Sequence, residues 1–509
     1  MGSARGPLAA EGAFVEWGAL QDEPTPSAPD AVTSDITGGL GSRALRFTIL
    51  ILVARILSRL LALVSVVAIG NALGDTRFGQ MQTAVTYTAL VGAVTDVGFT
   101  ALYVREGARE PGQLTRYFNN VASVKLFLVA VSLPLLAACL WFSGIESLLL
   151  PSFALLVLSG YTLLLRSSLY ALQRLNFEIA EIIPETAVVL VLALIGAHIH
   201  AGPAYFLWAY VASLGFATVY FVVVLLSKRI LAPRWELDTP LLRIWVRAGI
   251  PLAVTYVLTT VYFKLDVPIL QHSRSYAEVG WYTFAYRPFE ALLFIPATLR
   301  TVVFPVLSIY FRSAPNRVLV SAEKLFKILA IMGWPISVGL FLLAQQYNDL
   351  LNLYPQSAAA LRILAIAIVF MFVDNTFAAV LNAIDRQKLF AYVALSGLVI
   401  NAALNLVLIP QFGYIGASWA TVATEAGLVV TGWFALRRVL GTLRVPHLVW
   451  RPLLAGVVMG GVVAILNPHG RLPLLAVTLL AALVYIGMLL VLRTFDDEER
   501  SIVRRALRR

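Results

Sequence analysis

Cysteine is almost absent from this chain of 509 residues. Cys139 is the only one, so a disulfide within the chain is excluded and thiol chemistry has little footing. Charge is scarce as well: 13% of the residues are Asp, Glu, Lys or Arg and 59% are hydrophobic, whereas soluble domains carry about 25% charged residues. Histidine is limited to five positions, and only His198 and His200, in "GAHIHAG", stand close together. No accompanying set of ligands makes a metal site of them, and they read as a hydrated loop. Polar connections are short, which leaves no basic soluble domain able to hold nucleic acid.

What is abundant is apolar sequence. Mean hydropathy is +0.82, and runs of about 20 apolar residues, enough to cross ~30 Å of hydrocarbon at 1.5 Å per residue, recur fourteen times between residues 48 and 493. The chain is therefore predicted to be an all-α integral membrane protein with about 14 transmembrane helices. Residues 1–42 hold six acidic side chains against the single Arg5. They are expected to form a disordered acidic tail, and they lack the basic start and apolar core of a signal peptide. Past that tail, 38 basic residues outnumber 22 acidic ones, a balance suited to a surface beside anionic lipids. With the N-terminus inside, 28 of the 39 Lys and Arg fall on inner connections and only Arg77, Arg274 and Arg471 on outer ones. This asymmetry predicts a multi-pass protein of the cell membrane with both termini cytoplasmic.

The apolar runs are not free of charge. In "LVARILSRLLALVSVVAIG" (52–70), Arg55 and Arg59 lie four residues apart, hence on one helix face. Starting the span after them would leave too short a helix to cross. A central arginine costs about 2.5–3.5 kcal/mol and normally faces a bundle interior or water. One reading is a cationic patch in a cavity, offering forked donors to a phosphate or diphosphate. The other is pairing with Glu181 and Glu185, also four apart; the two coexist if the acids release the arginines when an anion arrives. Lys264 and Asp266 are turned to different faces by their spacing, Lys264 meeting a phosphate or snorkelling outward, Asp266 acting as a gate or ion-pair partner. Arg287 and Glu290, three apart, are expected to neutralise each other or line the cavity. Asp96, Asp374 and Glu425 are acids able to carry a proton or bind Na⁺, Asp96 being expected near enough to the inner surface to hydrate. Lys125 and Arg300 read as snorkelling cations. Tyr256, Tyr262, Trp281, Tyr282 and Tyr286 read as an interfacial belt, or as a platform for sugars.

A weak internal repeat sets "RFGQMQTAVTYTALVGAVTDVGF" (77–99) against "EVGWYTFAYRPFEALLFIPATLR" (278–300), aligning Gly79 with Gly280. The members lie six spans apart, so the two halves would share orientation about an axis along the membrane normal.

Three stretches carry a family resemblance. "KLDVPILQHSRSYAEVGWYTFAYRPFEALLFIPATLRTVVFPVLSIYFR" (264–312), "NLVLIPQFGYIGASWATVATE" (405–425) and "DVGFTALYVREGAR" (96–109) resemble segments of the polysaccharide-biosynthesis, Wzx-type oligosaccharide flippases. The resemblance runs from about residue 43 to the C-terminus. It implies the MATE-like fold of the multidrug, oligosaccharidyl-lipid and polysaccharide exporter superfamily: six helices in 43–235, six in 236–440, the two bundles facing each other in a V, and two extra helices with a basic tail in 441–509. It further implies a non-enzymatic flippase, acting as a monomer beside glycan-assembly proteins and membrane lipids. Its substrate would be a polyprenyl-diphosphate-linked oligosaccharide, moved from the cytoplasmic to the outer leaflet by alternating access. On this reading Arg55, Arg59, Lys264 and Arg287 meet the headgroup, while Asp96, Glu181, Glu185, Asp266, Glu290, Asp374 and Glu425 serve coupling or gating. No cofactor is expected beyond Na⁺ or proton coupling. A small-molecule antiporter of the same fold, and a membrane glycosyltransferase, polymerase or ligase acting on lipid-linked sugars, remain as alternatives.

Overall fold

A computed structural model describes residues 39–351 and 354–495, with side chains from Val53 onward. The acidic tail to residue 38 and the end of the basic tail from 496 lie outside the described residues. Helix already begins at Gly39, four residues before the expected start of the first bundle.

Regular structure among the described residues is helical throughout. In chain order the helices are α1 (Gly39–Asp96), α2 (Phe99–Arg109), α3 (Leu114–Phe142), α4 (Leu149–Ala171), α5 (Asn176–His198), α6 (Pro203–Ser227), α7 (Thr239–Lys264) and α8 (Asp266–Ser273). They continue with α9 (Tyr276–Leu292), α10 (Phe294–Ser313), α11 (Asn316–Leu350), α12 (Ser357–Ala383), α13 (Gln387–Leu440), α14 (Val445–Leu466) and α15 (Arg471–Val491). Twelve continuous helical stretches are long and apolar enough to cross a membrane. Two of them, α1 with 58 residues and α13 with 54, are about twice the required length, and each contains one glycine with non-helical backbone, Gly74 or Gly413. Divided there, the described chain holds fourteen apolar segments, the number its hydropathy predicts.

Local chemistry explains the breaks. Gly413 has φ +58°, a region that L side chains enter reluctantly. The space a Cβ would need is taken by the Glu278 carboxylate, which accepts the Tyr414 N–H at 3.0 Å. Gly416 then comes back against the Leu408 carbonyl, although eight residues of straight helix would separate them by about 12 Å; the chain has reversed. Proline sets two further interruptions. Pro268 and Pro296 have no N–H to give the carbonyls of Lys264 and Leu292, four residues earlier, and α7 and α9 end at those two residues.

The described residues from Ala54 onward form one compact unit, in which α12 is the most buried span and packs between α11 and α13. The last two spans dock on α11 through Leu343, Met459, Val477 and Tyr485, with the Tyr485 hydroxyl donating to the Ile331 carbonyl at 2.8 Å. Lipid is as apolar as leucine, so close backbone approach rather than hydrophobic exclusion holds such helices together. The crossing of α1 and α9 shows this. A Cβ on Gly79 would collide with the Tyr276 carbonyl, and one on Gly280 with the Asp75 carbonyl. Aligning Gly79 with Gly280 also aligns Asp75 with Tyr276, so the two contacts are one contact with its partners exchanged.

The connection between α6 and α7 is tied down as well. Asn119 accepts from the Arg234 N–H at 3.0 Å and Asn120 from that of Asp238 at 2.5 Å, while the Asp238 carboxylate pairs with Arg116 and caps α7 through the Leu241 N–H.

Candidate functional site: an arginine-lined cavity

Spacing of four places Arg55, Arg59 and the intervening Ser58 on the side of α1 that meets α5, where the Ser58 and Thr186 hydroxyls are 2.7 Å apart. Both arginines line a cavity of about 540 Å³. Arg59 stands fifteen residues before the break at Gly74, about 22 Å along the helix, well inside a ~30 Å hydrocarbon layer. Two more arginines reach the same cavity, Arg166 from α4 and Arg287 from α9. Tyr170, Tyr210, Glu178 and Glu185 complete its polar wall.

The carboxylates are distributed differently from the sequence expectation. Arg55 does not pair with Glu181 or Glu185; its Nη2 lies 3.3 Å from Glu178 Oε1, which also accepts the Tyr170 hydroxyl at 2.6 Å. Glu181 and Glu185 belong to Arg166, whose Nη2 is 3.2 Å from Glu181 and 3.0 Å from Glu185. Glu178, Glu181 and Glu185 follow one another at spacings of three and four, so α5 turns all three to the same side. That spacing is the available signal for a cationic partner such as Arg166, which is one of the 28 basic residues that the charge asymmetry assigns to the inner connections. The Phe221 ring packs 5.4 Å from the guanidinium carbon of Arg166.

Behind the lining residue Arg287, Glu290 forms the expected pair with it at 2.9 Å, and Lys264 joins that pair, its Nζ 2.9 Å from the other Glu290 oxygen. Lys264 is thus held by a carboxylate and does not snorkel away. Arg287 also donates to Gln82 at 2.6 Å. Arg59 makes no hydrogen bond or ion pair with any described residue. Buried donor atoms also lack partners among the described residues, namely Nε of Arg166, Nε of Arg287 and Nε2 of Gln82. Four arginines (Arg55, Arg59, Arg166, Arg287) and two glutamates (Glu178, Glu185) line the cavity; the groups bonded to them, Glu181, Glu290 and Lys264, bring the set to five cations and four carboxylates, a net charge of +1.

The remaining candidate acids lie elsewhere. Asp96 is not hydrated near a surface, nor does Lys125 snorkel; they form a buried pair at 2.9 Å, with side chains 9% and 3% exposed, and Thr100 adds a hydrogen bond to Asp96. Two desolvated charges persist only as partners, which neither hydropathy profile could reveal. Asp266 is buried at the start of α8 and accepts the Tyr282 hydroxyl at 2.5 Å and the Val267 N–H at 2.8 Å. Glu425 accepts the Tyr262 hydroxyl at 2.9 Å, and Asp374 accepts from the Asn375 amide at 2.9 Å. The aromatic belt is therefore overturned in part: Tyr282 and Tyr286 are buried, and Tyr262 and Tyr282 bond to the buried acids.

Helices with broken spans, charges turned inward and a polar hollow at membrane depth define a polytopic membrane protein built like a transporter. Comparison with known proteins adds the family. The model of the family described as polysaccharide biosynthesis protein matches residues 44–311, more than half of the chain, and the chain belongs to that family. The MatE family model matches residues 251–407. An uncharacterized membrane protein of Methanocaldococcus jannaschii is 36% identical over 85 residues, 17% of this chain and 20% of the relative. The uncharacterized membrane protein YabM of Bacillus subtilis is 26% identical over 144 residues, 28% of this chain and 27% of YabM. The chain thus spans about a fifth to a quarter of the length of these curated relatives. Among solved structures, the lipid II flippase MurJ in an inward closed conformation superposes with TM-score 0.73 at 16% identity, covering 91% of this chain and all of the other. An inward-facing multidrug resistance MATE family transporter of the MOP superfamily gives 0.59 at 15%, covering 77% and 97%. The fold is the MATE-like fold of that superfamily, as the resemblance implied.

Proposed function

We propose that this protein is a flippase that carries a polyprenyl-diphosphate-linked oligosaccharide from the cytoplasmic to the outer leaflet by alternating access, with both termini in the cytoplasm. The observation that carries the reading is the convergence of Arg55, Arg59, Arg166 and Arg287 on one cavity, with Arg59 held by no carboxylate among the described residues. Guanidinium groups match phosphate oxygens in pairs of parallel hydrogen bonds, and about 540 Å³ falls within the range of small-ligand sites. A diphosphate with its first sugars would occupy the hollow while the polyprenyl chain stays in lipid. The fold shared with a lipid II flippase supports the same class of cargo. A cavity for cationic drugs would favour acids over arginines, so the small-molecule antiporter takes second place. Coupling to Na⁺ or protons would fall to the carboxylates of Asp374, half-buried, and of Glu425, buried and bonded to Tyr262.

The test is reconstitution in liposomes with a fluorescent polyprenyl-diphosphate glycan and a membrane-impermeant quencher. Transbilayer movement should appear with the protein and disappear in empty vesicles. Equal quenching with and without protein, alongside uptake of organic cations, would replace this reading with the antiporter.

A further inference from the structure

Two carboxylates share one nitrogen in the cavity wall. Arg166 Nη2 is 3.2 Å from both oxygens of Glu181 and 3.0 Å from Oε2 of Glu185, and Glu181 is wholly buried. Two anions gathered on a single cation hold a negative charge in excess, and in a desolvated place one of them gains by taking a proton. The third acid of α5, Glu178, is satisfied separately by Arg55 and Tyr170. Other charged or titratable groups around the pair are Arg55 and Arg59 from α1, Tyr170 from α4 and Tyr210 from α6, which share the cavity lining with Glu185, and Tyr220 from α6, whose hydroxyl donates to the Phe177 carbonyl on α5. Arg287 lines the same cavity, with Glu290 behind it held by both Arg287 and Lys264. Arginine and tyrosine do not titrate near neutral pH, so the pair itself is where a proton would enter.

We infer that the Glu181 and Glu185 carboxylates form a proton site, and that one proton binds there together with the anionic headgroup. The inference rests on reading the cavity as a diphosphate site. With every acid ionised, the lining residues together with the Glu181, Glu290 and Lys264 bonded to them carry +1; one proton raises that set to +2, equal and opposite to the two charges of a diphosphate diester. The proton comes from water, forms an O–H bond on one carboxylate oxygen, and returns to water when the anion leaves. Arg166, relieved of half its negative load, then has donors to spare for phosphate, including the Nε that has no partner among the described residues.

The test uses the full-length protein in lipid nanodiscs and a short-chain polyprenyl diphosphate bearing one N-acetylhexosamine, a diester with no proton to exchange near neutrality. Its affinity is measured from mildly acidic to mildly alkaline pH. The wild type should bind more tightly as pH falls, with a limiting slope of about tenfold per pH unit for one linked proton. Glu185→Gln and Glu181→Gln, each mimicking the protonated pair, should bind with little pH dependence, near the low-pH wild-type affinity. Their retention of fold is checked by thermal melting and gel filtration. Absence of wild-type binding at every pH would sink the diphosphate reading itself. Firm wild-type binding with a flat pH profile would overturn only the proton site. A slope that persists in both glutamine variants, or folded variants that no longer bind, would also overturn it.

Discussion

Replacing Arg59 by alanine and Arg166 by alanine should damage the protein in two different ways, and the difference follows from their partners. Among the described residues Arg59 has no carboxylate to abandon, so Arg59→Ala removes donors without stranding a charge. Hydrogen bonds to charged groups contribute roughly 1.5–3 kcal/mol, so losing those to a phosphate should weaken headgroup binding by about 10- to 150-fold. Folding, insertion and melting temperature should stay close to wild type. Arg166→Ala instead leaves Glu181, wholly buried, and Glu185 facing each other without their cation. Removing one partner of a buried ion pair costs about 3–5 kcal/mol, a large part of the ~5–15 kcal/mol that separates folded from unfolded states. The variant should therefore express poorly and melt early. Parallel measurement of liposome translocation, binding and thermal stability reads both effects, and Arg59→Lys should recover part of the transport because it restores charge without the planar fork. Full transport by Arg59→Ala at normal expression would refute the reasoning, as would a stable Arg166→Ala protein.

Other outcomes follow from single contacts. Lys125→Ala should destabilise the protein by about 3–5 kcal/mol through the stranded Asp96, and Asp96→Asn combined with Lys125→Met should restore most of the melting temperature; a neutral single variant would show that the pair is hydrated. Gly79→Val inserts bulk where the Tyr276 carbonyl sits, so the crossing of α1 and α9 should open, with a loss of at least ~1–3 kcal/mol in thermal melts. Gly280→Val should behave alike, since its contact is the reciprocal one. The Arg116 guanidinium, then the Leu241 N–H, hold the half-buried Asp238 carboxyl below its ordinary value. A depressed carboxylate stabilises the fold above the usual aspartate range and loses that contribution as pH falls through its lowered value. Limited proteolysis of the 228–238 connection should accordingly increase under acid, and Asp238→Asn should show the increase already at neutral pH.

Several features were legible along the chain because they are local. Hydropathy summed over about 20 residues identified the spans, and the cost of a guanidinium in hydrocarbon marked Arg55 and Arg59 as inward-facing. Spacing of three also foretold the Arg287 and Glu290 pair. Other features escaped for a physical reason. Arg166 lies five residues from the end of α4, where composition alone does not separate a cavity cation from one at the membrane surface. Glu178 was passed over although it sits on the same face of α5 as Glu181 and Glu185. Lys125 and Asp96 looked like two surface-seeking charges because each was weighed without the other.

The sequence by itself determined that this is a helical membrane protein of some fourteen apolar segments and that cations stand within them. Those are properties of short stretches, set by transfer energies. Only the tertiary structure decided that Arg166 rather than Arg55 receives Glu181 and Glu185, that Asp96 is matched by Lys125, and that Arg287 crosses to join the arginines of α1. In a bilayer the choice among such partners depends on how closely helix backbones approach and how each helix is rotated, and contacts such as Gly79 against Tyr276 set that geometry across some two hundred residues of chain.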